Sequence, residues 1–311
     1  MTSTRPAASA LAAVLAIALA GALGACSHDA PAPVSGLDLT ADVDLTHGTV
    51  VEPMDRFRDS PEDDAVTADA QQVAMTLCAK KRGVTWDPYF ADSRYDLRVG
   101  PVEGPWVEAN ANKFGFLKPS SPTDVQRQTH PDSPEAQRLP GEKGSPNATL
   151  DDAQQKIVQA CAAGPDATRF DLSRLTPQGP WDLALQTAHE KTFPTVDDHS
   201  ATSDATRPVE DDYDACLRSA GVEPDPDRLG WAKGADPSVL DAQQISLALT
   251  VVRCKAQVRY AQRLADIEAR LEAPIVEKYS HELTARKAKI DGVVADAKKY
   301  LAASPDVRPT G

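Results

Sequence analysis

Aromatic residues are scarce in this chain: four Trp, six Tyr and six Phe make up 5% of 311 residues. A core with so few rings has to be assembled mostly from Ala, Leu and Val, carried on helices. Positive charge is also short, with 33 Lys and Arg against 46 Asp and Glu and a formal net charge of −13. That argues against nucleic acid as a partner, since no basic stripe offsets the acidic excess, and anionic headgroups would repel the same surface. No stretch beyond the first 25 residues is apolar enough to span a bilayer. Catalytic signatures are missing as well. No Gly-x-Ser-x-Gly or Ser-x-x-Lys sequence supplies an activated serine, and no glycine-rich phosphate loop occurs. His189-Glu190 and His281-Glu282 begin like zinc-protease helices, but Phe193 and Ala285 stand where the second histidine belongs. Val196-Asp197-Asp198-His199 reads as a solvated linker, and Asp225-Pro226-Asp227 lacks the oxygen spacing of a calcium loop. The residues therefore predict no enzyme, no cofactor and no metal centre.

What is present begins at the N-terminus. Arg5 is followed by a small-apolar run, Ala7 to Ala22, which reads as the charged and hydrophobic regions of a secretory signal. Leu23-Gly24-Ala25-Cys26 closes it and resembles the lipobox of bacterial lipoproteins. The resemblance implies diacylglyceryl transfer to Cys26, removal of residues 1–25 and acyl chains such as palmitate. Each buried methylene contributes roughly 0.8 kcal/mol, so two or three chains hold a protein firmly on a membrane. The expected address is the outer face of the cytoplasmic membrane, with the bilayer as a partner through acylated Cys26.

An exported chain meets an oxidising compartment, and four cysteines remain: Cys78, Cys161, Cys216 and Cys254. They suggest two disulfides, for which three pairings exist, and no Cys-x-x-Cys knuckle offers a zinc site. Between them, helix signals dominate. Ser60-Pro61-Glu62-Asp63 starts a helix and Gly83 stops it. Further helices are read near Pro105-Trp106, after Leu150-Asp151, after Gly179-Pro180-Trp181, over Val209 to Ala220, and from Asp236-Pro237 onward. The predicted organisation is a tether over 26–60, a first Cys-pair unit over 61–193 with a disordered loop at 119–149, a linker at 194–208, and a second unit over 209–303. The fold class is mainly α, disulfide-stapled, with a long kinked C-terminal helix.

The chain also repeats itself. Cys78-Ala79-Lys80-Lys81-Arg82-Gly83-Val84 recurs as Cys216-Leu217-Arg218-Ser219-Ala220-Gly221-Val222, and Leu150-Asp151-Asp152-Ala153-Gln154-Gln155 precedes Cys161 as Leu240-Asp241-Ala242-Gln243-Gln244, shorter by one Asp, precedes Cys254. If each unit closes its own helix pair, Cys78 joins Cys161 and Cys216 joins Cys254.

These features resemble a family of uncharacterised actinobacterial envelope lipoproteins with two Cys-x4-Gly turns, a Gly-Pro-Trp to Phe-Gly-Phe segment and a long C-terminal helix. Gly104-Pro105-Trp106 and Phe114-Gly115-Phe116 match the middle element, whereas Val84 and Val222 depart from the usual aromatic after Gly, and Pro274 interrupts the helix. The resemblance implies architecture and surface location and carries over no catalytic residue. Two binding surfaces suggest themselves. Trp86, Tyr89, Tyr95 and Trp106 could stack on wall glycans, although so aromatic-poor a chain has need of them in its core. Val276, Tyr279, Leu283, Ile290 and Val293 form a heptad seam that needs another helix, either a fold-back past Pro274 onto Leu264, Ile267 and Leu271 or a partner protein. The predicted function is non-catalytic binding at the cell envelope, to a protein complex or, as the alternative, to peptidoglycan or another glycan through the aromatic segment; an enzyme without a recognised motif is the second alternative.

Overall fold

The alternating acidic and apolar residues after Val34 pair with each other instead of remaining extended. In the computed structural model, which describes residues 34–88, 90, 102–118, 146–175, 179–192 and 203–307, strand β1 (Asp42–Asp44) forms an antiparallel hairpin with β2 (Thr49–Val51). Asp44 shapes the tip by accepting from the Thr46 and His47 amides. Val50 and Met54 are wholly buried, and Leu37 and Leu39 pack beside Met54 and Trp181. The predicted tether over 26–60 is thereby shortened: the folded body already includes Val34, whose amide donates to Ser280 Oγ at 3.1 Å.

Helix α1 (Pro61–Lys81) has the predicted start, a reciprocal Ser60–Asp63 capping box with Pro61 in the first turn. Its buried positions are spread over more than one face. Ala65, Ala70, Val73, Ala74, Met75 and Ala79 are buried, because α1 is sandwiched and its alanines let neighbours approach on two sides. After α2 (Glu108–Phe114) come α3 (Asp152–Ala162), capped by Asp151, and the single turn α4 (Pro165–Thr168). Within the predicted disordered loop, 146–149 is an ordered turn whose Asn147 clamps the Asp87 backbone at 2.8 and 2.9 Å; the rest of that loop lies outside the described residues. Helix α5 (Pro180–Thr192) turns Trp181 inward and leaves the predicted core residue Leu183 68% exposed.

Helix α6 (Arg207–Ser219) begins two residues before its predicted start. The remainder is three helices instead of one kinked rod: α7 (Ala242–Gln257), α8 (Tyr260–Lys278) and α9 (Ser280–Ala302). Asp241 caps α7; Asp236 instead closes a local turn on Ser238. The breaks fall at Arg259, which adopts the left-handed conformation (φ 54°), and at Tyr279. Pro274 lies inside α8, so one missing amide hydrogen bond is tolerated there.

Both predicted disulfides form, Cys78–Cys161 and Cys216–Cys254, with Cα atoms 5.7 and 5.6 Å apart. The repeat is visible in the backbone too: Val84 N–H reaches the Ala79 carbonyl and Val222 N–H the Leu217 carbonyl, over glycines that share φ 77°. The two halves do not form separate bodies, since Pro33–Gly311 is one compact unit in which α9 packs along α1.

That packing corrects the seam. Leu283 meets Met54 and Trp181, Ile290 meets Leu172, and Ala297 meets Ala70, Val73 and Phe170. Val276 and Leu283 are 0% exposed and Ile290 1%, with Tyr279 and Val293 half-buried beside them. The helix that the seam required is α1, together with the Leu172 turn and Met54, and not a fold-back onto α8.

Candidate functional site

A cleft among the described residues lies between two loops that approach each other through glycine. One, 102–107, leads into α2; the other, 223–237, joins α6 to α7. Gly104 (φ 65°) lies against the Gly230 carbonyl and the Trp231 ring, and a Cβ there would come within 3.3 Å of both. A Cβ on Gly230 (φ 71°) would stand 2.9 Å from the Tyr260 hydroxyl and 3.1 Å from the Glu103 carbonyl. Only glycine lets the loops cross this closely. The second loop is tied internally by Asp225, which accepts from Arg228 Nε at 2.9 Å, and by Arg228 Nη2 on the Ala235 carbonyl at 2.9 Å.

The cleft has a volume of about 480 Å³, within the range of small-molecule sites. Trp106, Phe116 and Trp231 give it apolar walls; Asn110, Lys118 and Arg228 supply polar atoms. Trp231 is half-buried, stacked on Phe116 with centroids 5.4 Å apart and planes 22° apart, and Arg228 Cζ stands 4.4 Å from the Trp231 ring. Formal charge is balanced, Lys118 and Arg228 against Glu103 and the paired Asp225. What such walls can do is hold an uncharged, flat-faced ligand by stacking, with a few amide and guanidinium donors at the edge.

Beneath the crossing sits a buried polar knot. Lys255 is 2% exposed and its ammonium donates to the Glu103 carbonyl, with the Tyr260 and Tyr213 rings 5.1 and 5.7 Å from Nζ. Burial pulls its pKa down to about 7, against the opposing pull of Glu210. Glu210 accepts from the Tyr260 hydroxyl and from the Gly230 amide, and burial pushes its carboxyl up. Tyr213 donates to the Gly230 carbonyl at 3.1 Å. The knot therefore fastens one loop through Glu103 and the other through Gly230.

A second cluster lies under the hairpin. Glu52 is 4% exposed with neither carboxylate oxygen hydrogen-bonded, Glu272 accepts from the Met54 amide at 2.7 Å, and Glu268 meets His189 Nδ1 at 3.2 Å. Burial foremost, then the neighbouring carboxylates, raise Glu52 to about 9; burial also raises Glu272, to about 7. The hydrogen bond to Glu268 raises His189. Among the described residues no group of His, Cys, Asp and Glu is arranged to hold a metal ion, and no helix is long and apolar enough to cross a membrane.

Of the four aromatics read as a glycan platform, Tyr89 and Tyr95 lie outside the described residues, as does Cys26. Trp86 and Trp106 are not brought together. Trp86 packs against the Cys78–Cys161 region with Nε1 on Gln72 at 3.4 Å, whereas Trp106, 6% exposed, belongs to the central core and shows only an edge to the cleft. The sequence reading missed Trp231 and the knot. A signal for the knot did exist: Lys255 continues the buried stripe of Ala248, Val251 and Val252, and Glu210 that of Val209, Tyr213 and Leu217. A charge on each of two apolar stripes points to a buried pair.

Against known proteins, the chain matches no family model, no curated protein and no solved structure.

Proposed function

We propose that the protein is a non-catalytic binding lipoprotein, held by acylated Cys26 on the outer face of the cytoplasmic membrane, and that it takes an uncharged glycan unit of the cell wall into the cleft beside Trp231. The carrying observation is the cleft: about 480 Å³, aromatic walls, balanced charge and one half-buried indole stacked on Phe116. The C–H faces of a sugar carry slight positive charge and suit the electron-rich face of an indole. The lipobox and the resemblance to actinobacterial envelope lipoproteins support the location. A protein-complex partner docking on the heptad seam has lost its support, because the seam is covered from within the chain.

Co-sedimentation of the mature chain with purified peptidoglycan tests the reading. Truncating a central aromatic anchor costs about 2 kcal/mol or more, so Trp231→Ala should weaken binding roughly thirtyfold while Trp86→Ala leaves it intact. Equal binding by the Trp231→Ala chain would remove the cleft as the ligand site.

A further inference from the structure

The polar knot under the cleft has more partners than a structural pin needs. Glu103 and Gly230 are the residues flanking the glycine crossing, and each is gripped from below by a different side chain. Lys255 reaches Glu103 across 152 positions of sequence, and Tyr213 reaches Gly230 across 17. The spacing of the loops, and with it the gap between Trp106 and Trp231, is therefore set by side chains that face away from the ligand.

We infer that Lys255 is a proton-operated latch of the cleft: charged, it holds the Glu103 loop down against the Gly230 loop, and on losing its proton it lets the Glu103 loop lift. Lys255 is a positioning residue, acting through the Glu103 backbone and touching no ligand. The inference rests on the cleft being the ligand site only for its biological meaning; the movement itself is a property of the empty protein. Its chemical basis is that an ammonium donates a charge-assisted hydrogen bond to a carbonyl, roughly twice as strong as the bond from a neutral amine. The switch falls near neutrality because burial brings Lys255 to about 7. The groups facing it are Glu210 and Tyr213 from α6, Tyr260 from α8 and Glu103 from the loop, with Arg259, in the break between α7 and α8, lining the same small pocket. Burial raises both tyrosines, so they stay neutral across the switch, and the guanidinium groups stay charged.

Nuclear magnetic resonance of the full mature chain decides the matter, recording the Lys255 Cε signal and the indole N–H signals of Trp106 and Trp231 from about pH 5 to about pH 9. Lys255 should titrate near 7, and both indoles should move with the same midpoint. In Lys255→Met and in Lys255→Arg that movement should be lost, each variant being checked for its disulfides and helix content. Movement that persists in Lys255→Arg belongs to another group and overturns the latch; so does a Lys255 midpoint near the ordinary lysine value, or indoles that stay still while Lys255 titrates. If Met at this position prevents folding, Arg and the wild-type titration still decide. Peptidoglycan binding at the two ends of the pH range separates the claims. Titrating indoles without any binding would sink the glycan reading alone, whereas binding with motionless indoles would sink the latch alone.

Discussion

Glu52 is the residue with the least to hold it. It is buried at the end of the hairpin with no hydrogen-bond partner for either oxygen, and Glu268, Glu272 and Asp55 face it with Arg56 opposing them. Its folded pKa of about 9 stands far above the ordinary 4.5, so in the window between them the native chain binds a proton that the unfolded chain does not. Stability from this residue is therefore lost as pH rises through that window. Glu272, raised to about 7, acts in the same direction over a narrower range. Lys255 acts oppositely: its depressed pKa means stability from that group rises with pH from about 7 towards the ordinary lysine value. The prediction is that Glu52→Gln, neutral at every pH, makes the protein more stable at pH 8 by about 1 to 3 kcal/mol and flattens the fall in thermal midpoint between pH 5 and 8. An unchanged slope in the variant would mean that Glu52 is not the group responsible. Nothing in the local sequence announces this cost, because Glu52 follows a short strand and its burial is imposed by α8.

At the scale of elements, helix starts and stops are the most legible feature. Ser60 with Asp63, Asp151 with Gln154, and the glycines after Cys78 and Cys216 act within five residues of themselves, so pattern and structure agree there. Breaks were less legible. Pro274 is the obvious breaker, yet α8 passes through it, while Arg259 breaks the chain at an ordinary residue held in a left-handed conformation. That conformation costs roughly 1 to 2 kcal/mol for a residue with a Cβ and persists because helices α7 and α8 are both fixed by packing into the central core. The heptad in α9 was legible as a seam, though not its partner. Since Leu283 and Ile290 sit in two different clusters, their losses should nearly add. Truncating one such side chain costs about 2 to 5 kcal/mol, and a carboxylate in its place costs more. Leu283→Asp with Ile290→Asp should therefore unfold the isolated protein or lower its thermal midpoint severely, as circular dichroism would show; an unchanged midpoint would contradict the packing of α9 on Met54, Trp181 and the Leu172 turn.

For the whole molecule, the proposed anchor and the folded body can be tested apart. Cys26→Ser should leave the body folded, both disulfides formed, and the protein soluble after cell fractionation; a variant that still extracts with the membranes as an acylated protein would refute the anchor. The two disulfides close segments of 83 and 38 residues, and in the loop-entropy picture each contributes roughly 3 to 5 kcal/mol. They staple α1 to α3 and α6 to α7, whereas packing joins the halves: α9 lies on α1 and the Leu172 turn, and Trp106 and Phe116 share the central core with Val251 and Leu264. The sequence by itself determined the helical class, the helix caps and, through its internal repeat, which cysteines pair. Each of these rests on short-range hydrogen bonding or on the order of like segments, both of which are written along the chain. Only the tertiary structure decided that the heptad seam faces α1, that Trp231 and not Trp86 lines a cleft, and that Lys255 lies beneath Glu103. Those contacts join residues as distant along the chain as Ala70 and Ala297 or Glu103 and Lys255, and periodicity tells which face of a helix is buried without naming what buries it.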